Sequence, residues 1–207
     1  MSSADGASPD SRLDETERST LLAVARDSIA FGISHGRAPD IEAADFQAEL
    51  RPLRATFVTL RKGGELRGCI GGFEARRPLV VDVAFHAYGA AFRDPRFHSV
   101  TKNELDELSL HISILAPLEK IAVADQHELE RTVRPGVDGL LLRAGSQQGT
   151  FLPSVWDGVS GPRQFIEQLK QKAGFAVDAW SSVWEVFRFT VESFPDEHDD
   201  SNSRSSA

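Results

Sequence analysis

A chain of 207 residues with 41% hydrophobic content is long enough to bury the core of one large domain, or of one domain with two lobes. No apolar run approaches the roughly 20 residues of a membrane span, and a single cysteine excludes an internal disulfide, so a reducing compartment, the cytoplasm, is expected. The formal charge of −8 sits in the ends: residues 1–18 hold five acids against two arginines and residues 192–207 five against one, so the middle is nearly neutral and gives nucleic-acid binding little support.

Both ends are rich in Ser, Asp and Glu. They are expected to be disordered acidic tails, 1–16 and 195–207, around one domain at 17–194. Residues 1–10 lack the basic start and apolar middle of a signal peptide.

Asp14 and Glu17 stand at capping-box spacing before a helix from Arg18 to Ser34, which Gly36 is placed to end. Ala55–Lys62 and Glu65–Ile70 read as two strands joined at Gly63-Gly64. Pro78 suits a first helical position, and Val81, Ala84, Phe85, Tyr88 and Phe92 make the apolar stripe of a helix over Leu79–Phe92. Asp94-Pro95 breaks it. Thr101 and Glu104 mark a further capping box, and Leu108–Ile114 alternates as a half-buried strand with Ser109, His111 and Ser113 on its polar face.

A short helix follows Asp125. Leu140–Arg143 and Thr150–Leu152 form a hairpin, and a helix opens at Ser160-Gly161-Pro162 and closes at Gly174. Trp184 and Val186 to Val191 make a last strand. Strand pairs with tight turns and irregularly interspersed helices predict an α+β fold, with a mainly antiparallel sheet flanked by helices.

The chemistry concentrates at Leu66-Arg67-Gly68-Cys69-Ile70-Gly71-Gly72. Glycines on both sides let another group approach the thiol, and the Arg67 guanidinium favours a thiolate. Residues 49–78 carry seven basic side chains against three glutamates, a local excess suited to a small anionic ligand or an acidic protein face. Cys69 is a candidate nucleophile; its alternative is a small buried hydrophobe. A nucleophile needs a base, and His86 and His98 are the candidates, His86 lying four residues after Asp82. Asp94-Pro95-Arg96 is either a turn held by its aspartate or a guanidinium fork aimed at a carboxylate or phosphate. One Cys and six scattered His offer no local metal-ligand spacing, and no motif calls for a cofactor.

Leu66-Arg67-Gly68-Cys69-Ile70-Gly71 and Ala90-Ala91-Phe92-Arg93-Asp94-Pro95-Arg96-Phe97 resemble the two signature stretches of the AMMECR family, whose bacterial and archaeal members are also called AmmeMemoRadiSam system protein A. Pro117-Leu118-Glu119, Asp138-Gly139-Leu140, Phe151-Leu152-Pro153 and Lys172-Ala173-Gly174 extend the likeness over Ser19 to Phe194. Gly72, His98 and Ser154 depart from the usual Thr, Pro and Gln. The resemblance implies a larger and a smaller lobe with the signature residues near a cleft between them, and two partners, a Memo-like protein and a radical-SAM enzyme. It implies no settled activity.

Two functions follow as expectations. In one, an enzyme or enzyme component binds a small anion through Arg67, Gly68, Gly71, Asp94 and Arg96, with Cys69 acting covalently. In the other, a non-catalytic adaptor engages the partners and Cys69 is packing.

Overall fold

The structure, a computed structural model, describes residues 12–196. The chain opens with helix α1 (Glu15–His35), and β1 (Ala55–Lys62) and β2 (Glu65–Gly71) form the expected hairpin. Helix α2 (Leu79–Phe92), β3 (Leu108–Leu115), β4 (Glu119–Ile121), α3 (Gln126–Thr132), β5 (Gly139–Ala144), β6 (Gln147–Phe151), α4 (Pro162–Lys172), β7 (Glu185–Phe189) and β8 (Val191–Pro195) follow. The fold is α+β. Its described residues divide into two compact units, the second being Ala116–Val191 and the first the remaining described residues.

The first unit holds a sheet of order β2-β1-β3-β8. β1 runs antiparallel to β2 and β3. Ser113 faces Ser193 and Leu110 faces Asp196, so β8 is antiparallel to β3 as well. The expected capping box forms, and helix α1 starts inside it, three residues before the expected Arg18: Asp14 Oδ1 accepts the Glu17 N–H at 2.8 Å and Glu17 Oε2 accepts the Asp14 N–H at 2.7 Å. It ends at Gly36, whose φ of 68° is the left-handed cap that glycine adopts without steric cost. Leu21, Val24, Ala25 and Ile29 of α1 pack with Val80, Val83, Ala84 and Ala87 of α2 and with Val58, Leu60, Leu110 and Ile112 of the sheet in one core.

Pro78 is the cap of α2 and not its first helical residue. Phe85, placed on the apolar stripe, is 43% exposed and lies beneath the Arg77 guanidinium, 3.8 Å from its ring centre. Residues expected with the tails belong partly to the fold: Leu13 is buried, and Asp196 pairs with Arg26 at 2.6 Å. Residues 1–11 and 197–207 of those tails lie outside the described residues.

The second unit holds an antiparallel sheet of order β4-β7-β5-β6. The last strand expected from the sequence is two strands, one in each sheet, separated at Thr190. β4 has three residues, too few to show a period of two. Trp156 stacks on Phe165 at 3.9 Å and donates its indole N–H to the Asp138 carbonyl at 2.7 Å, so a large aromatic is buried with its polar edge satisfied.

Candidate functional site

The signature cysteine lies on β2, the edge strand of the first sheet. Leu60 pairs with Gly68 but Arg61 pairs with Leu66, so Arg67 is the extra residue of a β-bulge. A bulge re-aims the side chain it carries. Arg67 donates from Nε to Glu104 Oε1 at 3.0 Å and from Nη2 to Glu104 Oε2 at 3.3 Å. Its third nitrogen, Nη1, is buried and has no hydrogen-bond partner among the described residues. A guanidinium is always charged and forked, so a buried, unmet N–H edge is an anion-seeking group.

Glu104 is fixed by the predicted capping box: its Oε2 accepts the Thr101 N–H and hydroxyl, each at 3.0 Å. The Arg67 hydrogen bonds first, then the Thr101 N–H, hold the Glu104 carboxyl down at about 2, against an ordinary 4.5.

Asp94 and Arg96 form the second pair. Arg96 donates from Nε to Asp94 Oδ1 at 2.9 Å and from Nη2 to Oδ2 at 2.6 Å, a fork against a carboxylate. Asp94 is buried, and it also accepts the Arg96 N–H at 3.1 Å and the Cys69 N–H at 2.9 Å. The Arg96 side chain first, then the Cys69 and Arg96 N–H groups, hold this carboxyl far below the usual range against the opposing effect of burial. The structure realises the first sequence reading of Asp-Pro-Arg: the aspartate braces the turn, and it takes the Arg96 fork itself.

The two guanidiniums share a cavity of about 370 Å³ lined by Arg67, Arg96, Phe97, His98, Ser99, Thr101 and Glu104. Arg96 is 55% exposed there and Arg67 15%. Cys69 does not line it. The thiol is half-buried and its Sγ accepts the Thr59 hydroxyl proton at 3.3 Å.

Gly68 and Gly71 meet packing demands. A Cβ on Gly68 would stand 2.2 Å from the Ala90 carbonyl oxygen of α2, and one on Gly71 2.3 Å from the Phe57 ring. These glycines let the strand press against helix and ring; the space is already filled by protein.

The structure does not bring His86 to Cys69. Thr56 bonds His86 and Thr59 bonds Cys69. The two threonines are three residues apart on a regular stretch of β1, so their side chains leave opposite faces of the sheet. The histidine on the thiol's face is His111: Thr59 pairs with Cys69 on one side and with His111 on the other. Sequence reading placed His111 on a polar strand face; only the register puts that face beside the cysteine. Among the described residues no three His, Cys, Asp or Glu side chains group to hold a metal ion, and no helix is long and apolar enough to cross a membrane.

The AMMECR1 family model matches residues 22–194, which include the arginine-walled cavity, its two acids and the cysteine strand. The chain belongs to the AMMECR1 family. A protein of Methanothermobacter thermautotrophicus is 35% identical over 191 residues, covering 88% of this chain and 95% of its own. One of Thermotoga maritima is 38% identical over 140 residues, covering 67% and 75%. The crystal structure of the uncharacterized protein PH0010 from Pyrococcus horikoshii superposes with a TM-score of 0.76 at 33% identity, over 86% of this chain and 90% of that one. This AMMECR1 chain therefore shares fold and length with relatives whose names state no reaction.

Proposed function

We propose that this protein is a cytoplasmic enzyme, or a component of one, that binds a small carboxylate or phosphate in the cavity walled by Arg67 and Arg96. The single observation that carries the reading is the Arg67 Nη1: a buried donor with no acceptor among the described residues, on a guanidinium that lines the cavity. Leaving such a donor unmet is costly, and an anionic oxygen meets it with a charge-assisted hydrogen bond. Asp94 and Glu104 hold the two guanidiniums in place, so a ligand finds its donors already oriented. His98, Ser99 and Thr101 add polar groups to the wall and Phe97 an apolar one.

The experiment is a titration of the full chain with inorganic phosphate and with oxalate, followed by amide and guanidinium NMR. Binding at the Arg67 and Arg96 resonances is expected, weakened about 10-fold or more by Arg67→Met, which removes a charged donor. Equal binding to wild type and Arg67→Met, or none, sinks the reading.

The adaptor reading is supported by the thiol's place outside the cavity lining, where its Sγ accepts the Thr59 hydroxyl proton. The family resemblance names the Memo-like protein and the radical-SAM enzyme as the partners to test. If Cys69→Ala preserves both complex formation and the activity of the reconstituted three-protein system, the cysteine has no covalent role. If activity is lost while the complex persists, the thiol does chemistry.

A further inference from the structure

Given the anion site proposed above, we infer that its ligand carries the anion on a flat unsaturated ring, as an aryl phosphate or aryl carboxylate, with the ring lying on a wall made by Arg96 and Phe97.

The cavity is larger than the anion. A phosphate or carboxylate group displaces two or three waters, roughly 60–90 Å³. The cavity holds about 370 Å³, and sites that enclose organic ligands begin at about 300 Å³. Arg67 decides which end takes the charge. Its side chain is 15% exposed against 55% for Arg96, and its unmet Nη1 is buried. The anionic group therefore belongs against Arg67, and the rest of the space belongs to the body that carries it.

That body meets a flat, partly apolar surface. Phe97 is half-buried and is the apolar member of the lining. The Arg96 guanidinium lies over its ring, 5.4 Å from the ring centre. Asp94 takes the Nε and Nη2 edge of Arg96 at 2.9 and 2.6 Å, which fixes the plane of the guanidinium. A ligand ring is drawn to such a wall twice: its negative face is attracted by the guanidinium, and it packs offset or edge-on against the phenyl ring. An alkyl body of equal bulk fills the space without either attraction.

The wall is in place before a ligand arrives. The Phe97 N–H donates to the Asp94 carbonyl at 3.2 Å, and the Asp94 carboxylate accepts the Cys69 N–H at 2.9 Å. The turn that carries Phe97 is thus tied to β2, the strand that carries Arg67, so little ordering is left for binding. Glu104 also lines the cavity, but its oxygens already accept from Arg67 and Thr101, and Lys62 Nζ stands 3.7 Å from it. Its charge therefore repels an incoming anion little.

The test is an NMR titration of the full chain with methyl, cyclohexyl and phenyl phosphate, which carry one anionic group on a small, a bulky and a flat body. Phenyl phosphate is expected to bind about 5-fold or more tightly than cyclohexyl phosphate, and methyl phosphate most weakly. Phe97→Leu keeps an apolar side chain and removes the ring. It is expected to erase most of the phenyl advantage while methyl phosphate stays within about 2-fold of wild type, which also shows the cavity intact. Benzoate against cyclohexanecarboxylate asks the same of a carboxylate, and a ring advantage in either series supports the proposal and names the anion. Phenyl phosphate and benzoate that bind no tighter than their cyclohexyl counterparts overturn the ring, as does an advantage that survives Phe97→Leu, even where all the anions still bind through Arg67. Loss of the anion site itself reads differently: none of the probes binds, or Arg67→Met weakens none of them.

Discussion

Asp94 Oδ2 accepts the Cys69 backbone N–H at 2.9 Å and, at the same atom, the Arg96 Nη2 at 2.6 Å. The edge strand that carries the cysteine is therefore capped by a side chain from the turn after α2, in place of a further strand. An unpaired edge N–H is a template for unwanted pairing, and the carboxylate closes it. The same contact couples the position of the cysteine strand to the guanidinium in the cavity wall.

Removing that carboxylate unsettles both. Asp94→Ala leaves the Cys69 N–H and the Arg96 fork without their acceptor and is expected to cost about 2–4 kcal/mol, read by denaturant unfolding. In hydrogen exchange the Cys69 amide is protected in the wild type and fast in Asp94→Ala. A protected amide in the variant contradicts the capping role.

Glu104 makes stability depend on acid. Its folded carboxyl titrates at about 2, below the ordinary 4.5, so its contribution is fully present above 4.5 and is lost as pH falls through about 2. Glu104→Gln is expected to lower stability at neutral pH and to flatten the decline between those values. Parallel curves for the two proteins from pH 5 to 2 would show that the pair with Arg67 contributes nothing.

Gly68 and Gly72 separate packing from local freedom. A Cβ at position 68 meets a backbone oxygen at 2.2 Å, which cannot move without shifting α2, whereas position 72 has only the His86 ring edge nearby at 4.0 Å. Gly68→Ala is expected to cost about 3 kcal/mol or more and Gly72→Ala under about 1 kcal/mol in thermal unfolding.

The thiol's reactivity tests its surroundings. The Cys69 Sγ accepts the Thr59 hydroxyl proton at 3.3 Å, and Thr59 pairs with His111 on its other side. Alkylation by iodoacetamide at neutral pH is expected to slow about 2-fold or more in Thr59→Val and to respond to His111→Gln, across Thr59, but not to His86→Gln. A response to His86 alone would contradict the placement of the two histidines on opposite faces.

Local chemistry was legible wherever partners lie three or four residues apart. Asp14 with Glu17, Thr101 with Glu104 and Asp125 with Glu128 close within a single turn, so both partners are visible in one short window of sequence. Gly63-Gly64 and Gly36 announce themselves because their backbone angles suit glycine alone. The cysteine motif and Asp94-Pro95-Arg96 were also visible, as residues that belong together.

The sequence by itself determined the caps of the first helix, the first hairpin, the α+β class and the family. Only the tertiary structure decided what the signature residues touch. Arg67 meets Glu104 because a bulge turns its side chain, Cys69 meets Asp94 across 25 positions, and His86 turns from the thiol to Thr56 and Asp82. Each of these depends on strand register, and a shift of one residue moves a side chain to the other face of the sheet. Register is set by the whole core that the strands bury, which no short window of sequence contains.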